Sequence, residues 1–169
     1  LGDISLTGDM NLTVNAGNID APGALIIDGN TSFTLGASGA SMALDNSNNN
    51  FAGSVSFSAP GGLVNLTIRD NSDFQIGASV ITGLLQITAT GNITQSGPVQ
   101  VDGTATLSAL NADIVLTDPL NDFKVMVIAV ATDNVTLTQG TDPLRVIQNA
   151  SIGAGGTGSL SVIAGGDVK

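Results

Sequence analysis

Apolar and polar residues alternate in short bursts along almost the whole chain. Val55-Ser56-Phe57, Leu85-Gln86-Ile87, Val99-Gln100-Val101, Val135-Thr136-Leu137 and Leu160-Ser161-Val162 each set two apolar side chains around a small polar one. That period of two is the mark of a strand with one buried face and one wet face. Turn residues close the bursts at Ala16-Gly17-Asn18, Pro22-Gly23, Asp28-Gly29, Pro60-Gly61-Gly62 and Thr90-Gly91-Asn92. No stretch has the three-and-four spacing of an amphipathic helix, so the pattern predicts a chain without helix. The longest apolar run, Val125–Ala131, falls far short of the roughly 20 residues that span a bilayer and reads as a buried strand.

The bursts also repeat. GNIDAPGALIIDG at 17–29 returns as GNITQSGPVQVDG at 91–103, with six of the thirteen positions identical and Leu25/Val99 and Ile27/Val101 in matching apolar slots. Asn50-Phe51 is echoed by Asp122-Phe123, and Leu85-Gln86-Ile87 by Leu160-Ser161-Val162. The reading is a unit of about 74 residues in one continuous segment, 1–169, made of a partial repeat 1–16, a repeat 17–90 and a repeat 91–169, cut from a longer array.

An all-β fold follows, and composition separates its two forms. The first is a β-solenoid (a parallel β-helix) whose short-strand coils stack about 4.8 Å apart. The alternative is a string of tandem β-sandwich domains. The chain is 42% hydrophobic but 3% aromatic, with no Trp or Tyr and only Phe33, Phe51, Phe57, Phe74 and Phe123 as rings. Such a chain favours the thin core of a solenoid over a sandwich anchored by bulky residues. No Pro-rich or charged linker interrupts the alternation, and Gly and Asn stand at the expected corners, where positive φ is often needed.

Cys and His are absent and every acidic residue is Asp, which removes Cys nucleophiles, His-based triads and the usual zinc ligands. A net charge of −10 works against nucleic acid and against anionic membrane surfaces as partners. The chain opens on Leu1-Gly2-Asp3, without Met or a basic leader, the pattern of a mature or excised segment.

The phrases GNITQSGPVQVDGTATLSA, DIVLTDPLNDF and NVTLTQ resemble the repeat body of filamentous-haemagglutinin-like exoproteins. These are long β-solenoid adhesins of Gram-negative bacteria, exported by two-partner secretion or as autotransporter passengers. The resemblance covers essentially the whole chain. It lacks the Asn-Pro motifs of that family's secretion domain, which places the segment in the shaft. It implies an extracellular or cell-surface structural protein, not an enzyme: an adhesin shaft, or a unit of a filament built by end-to-end β-stacking. No catalytic, cofactor or metal residue is carried over. The partners implied are flanking repeats or head-to-tail copies of the same chain, together with surface glycans. Neither end shows a polar capping coil, so both ends are expected to be covered. A carbohydrate-binding or carbohydrate-cleaving module on the same β-helix is the alternative.

Four groups of residues invite a functional reading. Arg69-Asp70 with Asp73 is the densest charged cluster, similar in kind to the acidic, Arg-assisted surface of β-helix pectate lyases; the plainer expectation is a solvated turn closing a strand at 63–69. Gly155–Ser161 approaches a calcium-binding nonapeptide but puts Leu160 where the motif needs Asp. Thr88/Thr90, Thr104/Thr106 and Thr136/Thr138 come too irregularly for a flat Thr array, and fit the preference of Thr for the wet side of a strand. Asn11, Asn30, Asn65, Asn92, Asn134 and Asn149 each open an Asn-x-Ser/Thr sequon, as a chain rich in Asn and Thr does by chance.

Overall fold

A computed structural model describes residues 1–140, 151–152 and 158–167. Among them every strand pairing is parallel, from Ile4↔Leu25 to Val135↔Leu160. The chain winds as a β-solenoid of about 7 turns with about 21 residues in each. Tandem sandwiches, built from antiparallel sheets, are set aside by this pairing. No helix occurs among the described residues.

Two long sheets run the length of the stack. One has eight strands: β2 (Met10–Val14), β5 (Thr31–Leu35), β8 (Ser54–Ser58), β10 (Phe74–Ile76), β13 (Ile93–Gln95), β16 (Ile114–Leu116), β19 (Val135–Gln139) and β21 (Leu160–Ala164). The other has seven: β3 (Ile19–Asp20), β6 (Met42–Leu44), β9 (Leu66–Asp70), β12 (Leu85–Ala89), β15 (Thr104–Ala109), β18 (Met126–Ala131) and β20 (Ser151–Ile152). A third, narrow side is made twice, first by β1 (Ile4–Leu6), β4 (Leu25–Ile27) and β7 (Asn50–Phe51), then by β11 (Ser79–Ile81), β14 (Val99–Val101) and β17 (Asp122–Phe123). In the first three coils the chain enters the narrow side before the eight-stranded sheet. From the fourth coil it enters it afterwards. The narrow side thus crosses from the leading to the trailing corner of that sheet between coils three and four, where Leu63 already bridges to Ile81.

The alternation read in the sequence sorts side chains as expected. Leu85 and Ile87 point inward while Gln86 stays exposed, and Val99 and Val101 flank exposed Gln100 in the same way. Like side chains stack coil upon coil: Phe33 lies on Phe57, centroids 5.8 Å apart and planes within 5°, and Phe51 meets Phe74 edge-on at 6.4 Å. All five rings are buried. Of the apolar run 125–131, Met126–Ala131 form strand β18, with Val127, Ala129 and Ala131 inward and Ile128 and Val130 half-buried, while Val125 lies outside the strand and exposed.

Two expectations change. The 74-residue period is not confirmed as a structural period, because it corresponds to about three and a half coils of the 21-residue stack. Its two copies therefore land on different sheets: Ile19 belongs to the seven-stranded sheet and Ile93 to the eight-stranded one. What the phrase repeats is a half-coil, a corner followed by two short strands. The corner glycines differ too. Among the described glycines, positive φ occurs at Gly17, Gly39, Gly61 and Gly62. Gly91 and Gly103 are needed because their neighbours in the preceding coil lie so close: a Cβ at Gly91 would fall 2.1 Å from Asp73 Oδ1, and one at Gly103 2.2 Å from the Gly83 carbonyl oxygen.

Candidate functional site

Strand β9 separates the charged cluster. Arg69 and Asp70 are neighbours in an extended strand, so their side chains leave by opposite faces: Arg69 is exposed, while Asp70 points into the core and is 1% exposed. Asp70 Oδ2 accepts the Phe51 N–H at 2.9 Å, and Oδ1 accepts the Ser72 N–H and the Ser72 hydroxyl, each at 2.7 Å. Burial raises the Asp70 pKa above its ordinary value; these hydrogen bonds pull against that rise, and nearby Asp73 adds to it. Asp73 faces elsewhere, accepting the Asn92 N–H at 2.7 Å. The expected solvated turn is thus only half right: Asp73 is exposed at the corner, but Asp70 is a buried cap on the previous coil.

Asp73 belongs to a longer arrangement that was not legible as a motif. At the leading corner of the eight-stranded sheet, the residue before six of the strands accepts a backbone N–H from the next coil. Asp9 accepts from Asn30 at 2.7 Å, and Asn30 from Ser54 at 3.0 Å. A second run follows: Asp73 accepts from Asn92, Asn92 from Asp113 at 3.1 Å, Asp113 from Asn134 at 2.6 Å, and Asn134 from Ser159 at 3.0 Å. Within each run Asp and Asn alternate. Coils are about 4.8 Å apart, so consecutive carboxylates would repel at close range; an intervening amide spaces them by about 10 Å, roughly a Debye length in physiological salt.

This ladder accounts for three of the sequons. Asn30, Asn92 and Asn134 precede an inward residue and then an outward Thr or Ser, so Asn-x-Ser/Thr is the local recipe for corner, core and wet face. Asn65 does the same for the seven-stranded sheet, accepting the Leu84 N–H at 2.9 Å. Asn11 lies exposed on strand β2, and Asn149 falls outside the described residues.

A second pair of amides is wholly buried. Asn49 accepts the Leu25 N–H at 2.9 Å and donates to the carbonyls of Leu44 (2.9 Å) and Arg69 (3.1 Å). Its counterpart Asn121 accepts the Val99 N–H at 2.9 Å and donates to Gln95 Oε1 and the Thr138 carbonyl. The sequence echo of Asn50-Phe51 in Asp122-Phe123 was the visible edge of a shared turn, in which the Asn49 N–H donates to the Asn46 carbonyl and the Asn121 N–H to that of Asp118.

The remaining candidates do not assemble. Thr104 and Thr106 lie on strand β15 of one long sheet, whereas Thr136 and Thr138 lie on β19 of the other. Part of Gly155–Ser161 lies outside the described residues. Lys124 pairs with Asp102 at 2.8 Å on the surface. No group of three or more Asp side chains able to hold a metal occurs among the described residues, and no helix of the described chain is long and apolar enough to cross a membrane.

Two depressions share Pro98 and Gln100 along the trailing corner of the eight-stranded sheet. The larger, about 470 Å³, runs from Phe57–Ala59 and Gly61–Gly62 past Ala78–Val80; the smaller, about 280 Å³, reaches Pro119–Asp122. The larger has no charged residue in its lining.

Against known families, the model of "Repeats of unknown function (DUF5649)" matches residues 1–58 and again 63–130. The chain belongs to this repeat family. Each match spans about three coils, and the four residues between the matches, Ala59-Pro60-Gly61-Gly62, are those at which the narrow side changes corner. No curated protein and no solved structure matches the chain.

Proposed function

We propose that these repeats form a stretch of an extracellular shaft, a structural element that holds other parts of a secreted protein away from a cell surface, as in filamentous-haemagglutinin-like adhesins. The observation that carries this reading is the coil-on-coil ladder: side-chain caps from Asp9 to Ser159 join successive coils along the leading corner, interrupted once. Such a stack resists extension through backbone hydrogen bonds shared by every coil. A weakly charged face of Ser, Thr and Asn with net −10 suits an exposed, hydrated rod. Its partners are neighbouring repeats, or identical copies stacked head to tail, and surface glycans at the far end. The divergence of Arg69 and Asp70 to opposite faces gives the carbohydrate-cleaving reading no geometric support.

Intact cells making the parent protein, treated with protease and then with antibody against these repeats, provide the test. Loss of the repeat signal without lysis, together with rods in electron micrographs of the released material, is expected. Recovery of the repeats only after lysis would overturn the extracellular assignment, and compact particles would overturn the shaft.

A further inference from the structure

The geometry points to a directional hinge at the junction of the two family repeats, between coils three and four. Several independent features coincide there. On the eight-stranded sheet, β5 pairs with β8 through four residues, but β10 follows β8 only at Ser54 and Val55. Gly77 still donates to the Val55 carbonyl and lies against Ser56, but from Ser56 on β8 has no ladder partner in coil four. The coils are hydrogen-bonded again only at Leu63, whose N–H donates to the Val80 carbonyl and whose carbonyl accepts the Thr82 N–H. The corner ladder stops at the same level: Ser54 ends the first run, and Asp73 begins the second. Gly61 and Gly62, both at positive φ (74° and 88°), turn the chain across.

The trailing corner is also uneven. Coil three takes eight steps from Val55 to Leu63, while coil four takes five from the paired Ile76 to the bridged Ile81. Coil five takes six, from Gln95 to Val101, so coil four is the narrowest of the three, a waist beneath the bulging corner of coil three, and the open 470 Å³ notch lies against it. The other long sheet is uninterrupted at this level, with β9 paired to β12 through five residues. A hydroxyl pair, Ser54 Oγ and Ser96 Oγ at 2.6 Å, clasps coils three and five beside the waist.

A ladder with all its bonds resists bending, and one that lacks them on a single side yields on that side. The seven-stranded sheet and the clasp thus define the pivot, and the shaft bends toward the trailing corner, closing the notch between Ser58 and Gln100. The hinge belongs to the coiled chain itself and holds whether or not the protein is an extracellular shaft. It makes the repeat of about three coils a mechanical unit as well as a sequence unit.

Because the chain contains no Cys, pairs of spin labels report the motion directly. Ser58→Cys with Gln100→Cys spans coils three to five across the notch; Thr67→Cys with Thr106→Cys spans the same coils on the seven-stranded sheet, where both face outward in one register. The notch pair is expected to give a distance distribution about twice as broad as the sheet pair, with a component shorter than the mean. Ala78→Trp, which fills the exposed waist, is expected to narrow the notch distribution and leave the sheet pair unchanged. Equal widths for the two pairs would overturn the hinge. A broad notch distribution insensitive to Ala78→Trp would show motion unrelated to closure and overturn it equally.

Discussion

Asp70 and Gln139 do the same work in successive parts of the stack. Asp70 Oδ2 accepts the N–H of Phe51, and Gln139 Oε1 accepts the N–H of Phe123, each at 2.9 Å and each one coil back. One is a carboxylate and the other a neutral amide, yet both are buried, each against the Phe that closes a narrow-side strand. Strands β7 and β17 are the last of the two narrow sheets, so the shared requirement is an acceptor for an N–H that has no further strand to pair with.

Removing that acceptor should be costly. Asp70→Ala orphans a buried N–H, and a loss of about 1–3 kcal/mol of unfolding free energy is expected. The charge on Asp70 has a separate signature. Burial raises its pKa above 3.8, so the folded state binds the proton more tightly than the unfolded state. Its contribution is fully present below the ordinary carboxylate range and is lost as pH rises through the raised value. Urea titrations at a series of pH values should therefore show wild type losing ground to Asp70→Asn as pH rises through the acidic range; a constant difference would contradict the assignment.

Alternation along the ladder predicts a salt-dependent variant. Asn92→Asp sets three carboxylates, at 73, 92 and 113, on consecutive coils and removes the amide that donates to Asp73 at 3.2 Å. A destabilisation of about 1 kcal/mol at low salt is expected, shrinking toward 1 M salt as screening shortens to about 3 Å. Thermal unfolding across salt concentrations measures it.

The two kinds of corner glycine should respond differently to a methyl group. Gly17 has φ 88° with open space around its missing Cβ, so Gly17→Ala carries only the left-handed backbone cost of about 1–2 kcal/mol. At Gly103 the Cβ would meet a backbone carbonyl at 2.2 Å, which no side-chain rotation relieves. Gly103→Ala should be the more damaging by equilibrium unfolding, and should speed hydrogen exchange in coils four and five.

Thr31 offers the opposite case. Its hydroxyl is buried in strand β5 without a hydrogen-bond partner, between inward Met10 and Val55 in the ladder. Thr31→Val keeps the branched shape and removes the unsatisfied group, so a gain of about 1 kcal/mol is expected. Unchanged or reduced stability in chemical denaturation would mean that the hydroxyl is satisfied.

The period-two alternation of Leu85-Gln86-Ile87 or Val99-Gln100-Val101 was enough to determine strands, the inward and outward faces and the absence of helix, while the scarcity of aromatics and linkers favoured a solenoid over sandwiches. It was enough because facing the core is a local property of each residue in a pleated strand. The sequence could not say which coil a phrase would meet. GNI at 17 and GNI at 91 are the same words on different sheets, since coil length depends on how many residues each corner absorbs, and that is settled only when strands pair across the stack. For the same reason Asp70 reads as a surface charge beside Arg69, whereas pairing of β9 with β12 turns it inward to cap Phe51. Alternation is written residue by residue; register, caps and the crossing of the narrow side exist only between coils, where hydrogen bonds join residues about 20 positions apart.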